Sequence, residues 1–218
     1  MKKLILLATL FISATSFAQI EQLIALKNSY NTFDSISKLG IVYSPDSLML
    51  KKVKQLDKEH PSEYFNAVGK LINELKYNDA AFLYYVGVLR YKYYNAVNPD
   101  YQASGDGALL GSLKYVMGEP INMYLKTNID NFILILKLSG EYFTNNDYEF
   151  YSKTKNIEKY NTLAKGYDTL IKDMETNKEK YKTEWEAEKK VMIENIDKAI
   201  EEYNNLTPEE KKKLKDGN

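Results

Sequence analysis

Beyond about residue 19, apolar residues recur at three- and four-residue spacing along almost the whole chain, the repeat of helices that bury one face. Residues 20–38 carry Ile20, Leu23, Ile24, Tyr30, Phe33 and Ile36 on one stripe that stops near Gly40. Ser44-Pro45-Asp46 opens a second helix running to about Glu59, with Leu48, Leu50, Val53 and Leu56 expected to face inward. His60-Pro61 breaks it. Ser62 is placed to cap a third helix, whose Tyr64, Phe65, Val68, Leu71, Ile72 and Leu75 form an apolar face up to Lys76. The fourth helix, 79–97, is apolar nearly all round: 80–89 holds no charge, and only Arg90 and Lys92 follow. A helix without a polar face belongs at the centre of a bundle. Gly87, on the same face as Arg90, would let a neighbouring helix or loop come close.

Residues 98–107 are rich in Asn, Asp, Gly, Ser and Pro and read as the main loop. A helix over 108–117, a Gly118-Glu119-Pro120 break and a short helical piece over 121–125 follow. A strongly apolar helix over 130–143 then ends at Asn145-Asn146-Asp147. From Asp147 onward the texture changes, with 17 acidic and 15 basic residues interleaved. Ile157, Tyr160, Ala164, Tyr167, Ile171 and Met174 make one stripe, and Tyr181, Trp185, Met192, Ile196, Ala199 and Tyr203 a second in a different register. Thr176-Asn177-Lys178-Glu179 between them reads as a capping box, which predicts an antiparallel helical hairpin. Thr207-Pro208-Glu209-Glu210 signals a short terminal helix. The expected fold is therefore all-α, an irregular multi-helix bundle. A helical core domain spans 19–145, and the charged hairpin with its terminal helix, 146–218, packs on it. No period near 34 residues recurs, although an irregular solenoid would use the same helices.

The first eighteen residues bear on where the protein works. Lys2 and Lys3, the apolar run 4–12 and the small residues Ser16 and Ala18 at the −3 and −1 positions are the three parts of a secretory signal peptide. The run is too short for a membrane span. Cleavage before Gln19 would release a mature chain of about 200 residues into the periplasm or the medium, with no membrane span of its own. Its net charge of about −2 leaves no basic excess for phosphates, so nucleic acid is not an expected partner. The chain has no cysteine, which excludes disulfides, thiol nucleophiles and a lipid-modified N-terminus.

The candidate chemistry is sparse. With His60 the only histidine, a His/Cys metal cluster is excluded. His60 could serve as the base for a serine, but beside Pro61 at a helix end it reads more simply as an exposed turn residue. The loop from Asp100 matches the first positions of a helix-loop-helix calcium site and fails at the twelfth, where Gly111 stands in place of a bidentate Glu. The Gly105–Ser112 run lacks phosphate-loop spacing and its lysine, and is read as a turn in which Asp106 caps the following helix. Carboxylate pairs of the glycosidase kind have no fixed sequence spacing; Glu63, Glu74, Asp79, Glu119 and Glu141 lie near apolar helices. Nothing calls for a cofactor.

The chain has 19 Tyr against 8 Phe and one Trp, and Arg90 is its single arginine. Near the end of the fourth helix, Tyr84, Tyr85, Arg90, Tyr91, Tyr93 and Tyr94 gather hydroxyls around one guanidinium. They form either a Tyr-rich core in which Arg90 meets backbone carbonyls or a carboxylate such as Asp106, or a recognition patch of the residue types that anchor protein interfaces.

Residues 79–124 carry Asp79-Ala80-Ala81-Phe82, Gly87 with Leu89-Arg90-Tyr91, Asn98-Pro99, Gly105-Asp106, Gly111-Ser112-Leu113 and Gly118 with Pro120-Ile121-Asn122 and Tyr124. In these the chain resembles an uncharacterised family of bacterial α-helical proteins to which no activity is attached. The resemblance points to Arg90, Asp106 and Asn122 as its polar positions. The expected binding residues are thus Arg90, Tyr91, Tyr94, Asp106 and Asn122. The expected function is that of an exported, non-catalytic protein that binds another protein, such as an immunity protein or an inhibitor of a toxin or hydrolase. A cell-wall hydrolase working through buried carboxylates and a self-associating helical scaffold are the competing readings.

Overall fold

The computed structural model describes residues 17–40 and 43–216. The export leader expected over 1–18 lies, apart from Phe17 and Ala18, outside the described residues. Those residues form helices and turns and no strand, an all-α multi-helix bundle. The helices are α1 (Phe17–Ser37), α2 (Ser47–Leu56), α3 (Ser62–Asn73), α4 (Tyr77–Val97), α5 (Ala108–Lys126), α6 (Ile129–Asn145), α7 (Ile157–Thr176), α8 (Lys178–Asn204) and α9 (Pro208–Asp216). None of them is long and apolar enough to cross a membrane.

The chain divides into two compact units, Gly40–Lys182 and the combination of Met1–Leu39 with Thr183–Asn218. This differs from the expected division at 145/146. The stripe on α7 is the reason: its Tyr160, Tyr167, Ile171 and Met174 are buried, and the helix packs on α6 and α4 as part of the larger unit. Thr176 ends α7 instead of capping α8, and Asn177 alone separates the two helices. Across it Asn177 N donates to Asp173 O (2.9 Å) and Tyr181 N to Asn177 O (3.0 Å), four residues back in each case, so helical bonding nearly continues.

In the smaller unit α9 packs on α1. Lys27 pairs with Asp197 and Lys189 with Asp34, tying the later part of α8 to α1. Thr207 and Glu210 form the capping box of α9, with Thr207 N donating to Glu210 Oε2 (2.8 Å) and Glu210 N to Thr207 Oγ1 (3.3 Å).

In the larger unit α4 is central, as its all-round apolar sequence requires, and it packs against α3, α5, α6 and α7. Two glycines let side chains of neighbouring helices approach closely. A Cβ on Gly87 would lie 2.6 Å from Tyr64 Cβ of α3, and one on Gly118 of α5 would lie 2.3 Å from the Tyr84 hydroxyl. The break expected at 118–120 does not occur. Pro120 sits inside the continuous α5, where it withdraws the N–H that Val116 O would accept; residue 116 is 59 % exposed, on a stretch open to solvent. On α2 the inward stripe is Met49 and Val53, whereas Leu48 is 74 % and Leu50 40 % exposed. Of the residues expected inside, Val53 is buried, whereas Leu48 and Leu50 face out and Met49 between them faces in.

Candidate functional site

Arg90 lies at the middle of the larger unit with none of its surface exposed. A guanidinium taken out of water needs a counter-charge and partners for its N–H groups, and α2 brings the counter-charge. Asp57 follows Val53 by four residues, so it continues the buried stripe just past the end of the helix. Arg90 Nε donates to Asp57 Oδ1 (2.8 Å) and Nη2 to Oδ2 (3.3 Å). The Tyr64 hydroxyl donates to Oδ1 (2.6 Å) and the Tyr142 hydroxyl to Oδ2 (2.7 Å), so both carboxylate oxygens are satisfied twice. Burial by itself would lower the Arg90 pKa; Asp57 beside it more than reverses this, and the group stays charged. Burial and the Asp57 charge push the Tyr64 hydroxyl well above the ordinary tyrosine range.

The other side of the guanidinium fastens the chain after α6. Nη2 donates to Asn146 O (3.1 Å) and Asp147 O (3.4 Å), and Nη1 to the Tyr160 hydroxyl (2.7 Å). That hydroxyl in turn donates to Phe143 O. The rings of Phe143 and Tyr148 flank the guanidinium at 5.1 and 5.4 Å. Further bonds hold the segment 147–156 down along its length. Phe150 N donates to Asp57 O (2.8 Å), the Tyr148 hydroxyl to Glu59 O (2.8 Å), the Tyr151 hydroxyl to Val97 O (3.0 Å) and the Tyr93 hydroxyl to Ser152 O (3.0 Å). Asp147 accepts from Tyr148 N, Lys153 N and Ser152 Oγ at 2.7–2.9 Å. Burial opposes its ionisation, but these bonds outweigh it and lower its pKa.

Outside this core lies a second, half-exposed layer. His60 is ringed edge-on by Tyr91, Tyr94 and Phe150 at centroid separations of 5.5, 5.2 and 5.9 Å. Tyr94 also meets Phe150 and Tyr151. Phe150 is 42 % exposed, and the His60 side chain 31 %. Imidazole Nε2 stands 3.3 Å from Asp106 Oδ1, which accepts the Tyr91 hydroxyl (2.8 Å), and Nδ1 lies 2.8 Å from Ser62 Oγ. Tyr101, 42 % exposed, adjoins this layer through the turn Ala103–Gly107. The following stretch, 108–117, has no buried residue although it carries Leu109, Tyr115 and Val116.

The expected binding residues therefore separate. Arg90 is a core residue paired with Asp57, not with Asp106, and offers nothing to a partner. Tyr91 is also buried, and it holds Asp106 in place. Asp106 does not cap α5, where no side-chain cap is made; it faces Tyr91 and His60. Tyr94 reaches the surface. Asn122 accepts the Tyr85 hydroxyl (2.7 Å) on another side of α4 and belongs to neither layer. Sequence reasoning missed Asp57, Tyr142, Tyr160 and Phe150. One signal pointed to the first: an arginine following the uncharged run 80–89 of the central helix demands a buried carboxylate, and Asp57 is in phase with Val53. Ser62, expected as the cap of α3, is its first helical residue, with Pro61 before it.

The hydrolase reading needs two buried carboxylates facing one cleft. Asp57 is the buried carboxylate among the described residues, and it is consumed by Arg90. Glu74, Glu119 and Glu141 are exposed, Glu63 accepts from Asn66, and Asp79 accepts from Tyr43. Among the described residues no group of three or more His, Asp or Glu side chains is placed to hold a metal ion. No protein-family model, curated protein or solved structure matches the chain.

Proposed function

We propose that this chain acts after export by recognising another protein, in the manner of an inhibitor or immunity protein, through the outer layer formed by His60, Tyr94, Phe150 and Tyr151. The observation that carries the reading is that these side chains stand half-exposed where the segment 147–156, fastened to Arg90, Asp57, Glu59, Tyr93 and Val97, packs beside His60 and Tyr94. Aromatic anchors that are already ordered lose little side-chain entropy when a partner covers them, which is what distinguishes a strong contact residue from one that is merely apolar. Export rests on the signal-peptide pattern of residues 1–18.

The test is affinity capture from envelope extract with the mature chain, residues 19–218, run beside the Tyr94→Ala/Phe150→Ala variant. A stoichiometric protein recovered by the parent chain and lost with the variant supports the reading. Absence of any stoichiometric protein, or equal recovery by both, overturns it.

A further inference from the structure

The surroundings of His60 constrain its protonation. Ser62 N donates to His60 Nδ1 (3.3 Å), and a backbone amide can only donate, so Nδ1 presents its lone pair. In the neutral ring the proton then sits on Nε2, the nitrogen 3.3 Å from Asp106 Oδ1. The Ser62 hydroxyl, 2.8 Å from Nδ1, must also donate to that lone pair. Serine, imidazole and carboxylate thus stand in the order of a nucleophilic relay, with the roles of the two ring nitrogens exchanged relative to the familiar arrangement. Asp106 is itself fixed by the Tyr91 hydroxyl. Ser62 opens the twelve-residue α3, whose amino end carries partial positive charge where an oxyanion would develop.

We propose that Ser62 is an activated nucleophile toward carboxylic esters, with His60 as its base, Asp106 as the residue that orients and charge-balances the ring, and the Tyr94 and Phe150 faces as the seat for an apolar acyl or aryl group. Ser62 Oγ bonds to the ester carbonyl carbon as its proton passes to Nδ1, and Asp106 stabilises the resulting imidazolium. Collapse breaks the bond from carbon to the leaving oxygen, which takes the proton from Nδ1 and departs as the alcohol, leaving acyl-Ser62. Water then attacks the acyl carbon, giving its proton to Nδ1. That proton returns to Ser62 Oγ as the carboxylic acid leaves. The competing role for the same contacts is purely local, with the imidazole tying down the first turn of α3.

The two roles separate on treating the mature chain, residues 19–218, with an alkyl fluorophosphonate and mapping adducts by mass spectrometry. The expected result is a single adduct on Ser62 of the folded chain, absent in urea and absent in Ser62→Ala. His60→Gln should slow its formation by at least about tenfold, since a positioned base contributes roughly 10²- to 10⁴-fold, and Asp106→Asn should slow it by a smaller factor, with far-ultraviolet circular dichroism verifying each fold. No adduct on the folded parent chain, or labelling as fast in urea as in buffer, overturns the proposal without recourse to any variant. So does labelling unchanged in a folded His60→Gln chain. A partner captured through Tyr94 and Phe150 without any labelling of Ser62 would leave the recognition reading standing and remove this one.

Discussion

Replacing Arg90 by methionine tests how the larger unit is held together. The substitution keeps an unbranched apolar stem as far as the position of Nε and removes the charged guanidinium. Asp57 would remain buried, with the hydroxyls of Tyr64 and Tyr142 at 2.6 and 2.7 Å but without its counter-charge, while Asn146 O and Asp147 O would lose their donor. Breaking a buried pair from one side costs about 3–5 kcal/mol, a large part of the roughly 5–15 kcal/mol that holds a domain folded. At roughly 2–4 °C per kcal/mol for a chain of this size, Arg90→Met should lower the melting temperature by on the order of 10 °C. Removing both charges leaves no stranded ion, so Asp57→Asn/Arg90→Met should lose less than the sum of the single changes. The assay is urea unfolding of the mature chain followed by near-ultraviolet dichroism of the tyrosines, which are concentrated in the larger unit; fluorescence of Trp185, which lies in the smaller unit, serves as an independent probe. A loss under about 1 kcal/mol for Arg90→Met, or strict additivity in the double variant, would refute the reasoning.

Three further outcomes follow from the packing and the tyrosine environments. Burial pushes the hydroxyls of Tyr84 and Tyr160 up to about 12, and those of Tyr64, Tyr85 and Tyr167 further still. A raised pKa contributes stability that is intact below the unfolded value near 10 and is lost as pH climbs through the folded one. Helix content should therefore collapse cooperatively between about pH 10 and 12 together with tyrosinate absorbance, and a tyrosinate rise spread over that range with helicity intact would contradict this. Gly87→Ala should destabilise by about 1–3 kcal/mol, because its Cβ would meet Tyr64 at 2.6 Å; Gly111→Ala, which meets nothing within 4 Å on the same scale, should stabilise by about 0.5–1 kcal/mol, both read as urea midpoints. Leu75 holds φ +58° just beyond α3 and is 59 % exposed, so Leu75→Gly should raise the midpoint by on the order of 1 kcal/mol; a drop would mean that the leucine makes a contact worth more than the strain.

The helical class was legible because the three-and-four repeat is strong, and the central place of α4 because nothing on it between residues 80 and 89 could face water. The close approach at Gly87 could be read for a similar reason, since a glycine inside a packed helix has a short list of uses. What escaped were features decided by partners distant in sequence. Leu48 and Leu50 look inward to the repeat as well as Val53 does, and only the docking of α2 on α3 selects Met49 in their place. Pro120 looks like a break because its cost is local, whereas the packing of Ile121, Tyr124 and Leu125 on the far side of it holds α5 in one piece. Thr176 looks like the cap of a new helix, yet it ends α7, and Asn177 alone separates it from α8. At the candidate site the sequence placed Arg90 on the central helix, but the rings that meet it are Tyr142, Phe143, Tyr148 and Tyr160, not the tyrosines of its own helix. Which of them face out depends on Asp57, thirty-three positions earlier, and on the segment 146–156 that no periodicity describes.

The layering around α4 also bears on how such a chain can change over generations. Segment 147–156 is held by Arg90 and Tyr93 through its backbone and by Tyr148 and Tyr151 through their own hydroxyls, so the side chains at positions 94 and 150, which make none of these bonds, are only weakly coupled to folding. A lineage could rewrite those positions to follow a drifting counterpart while Arg90 and Asp57 stay put. Novelty would then arise at the rim without passing through unfolded ancestors.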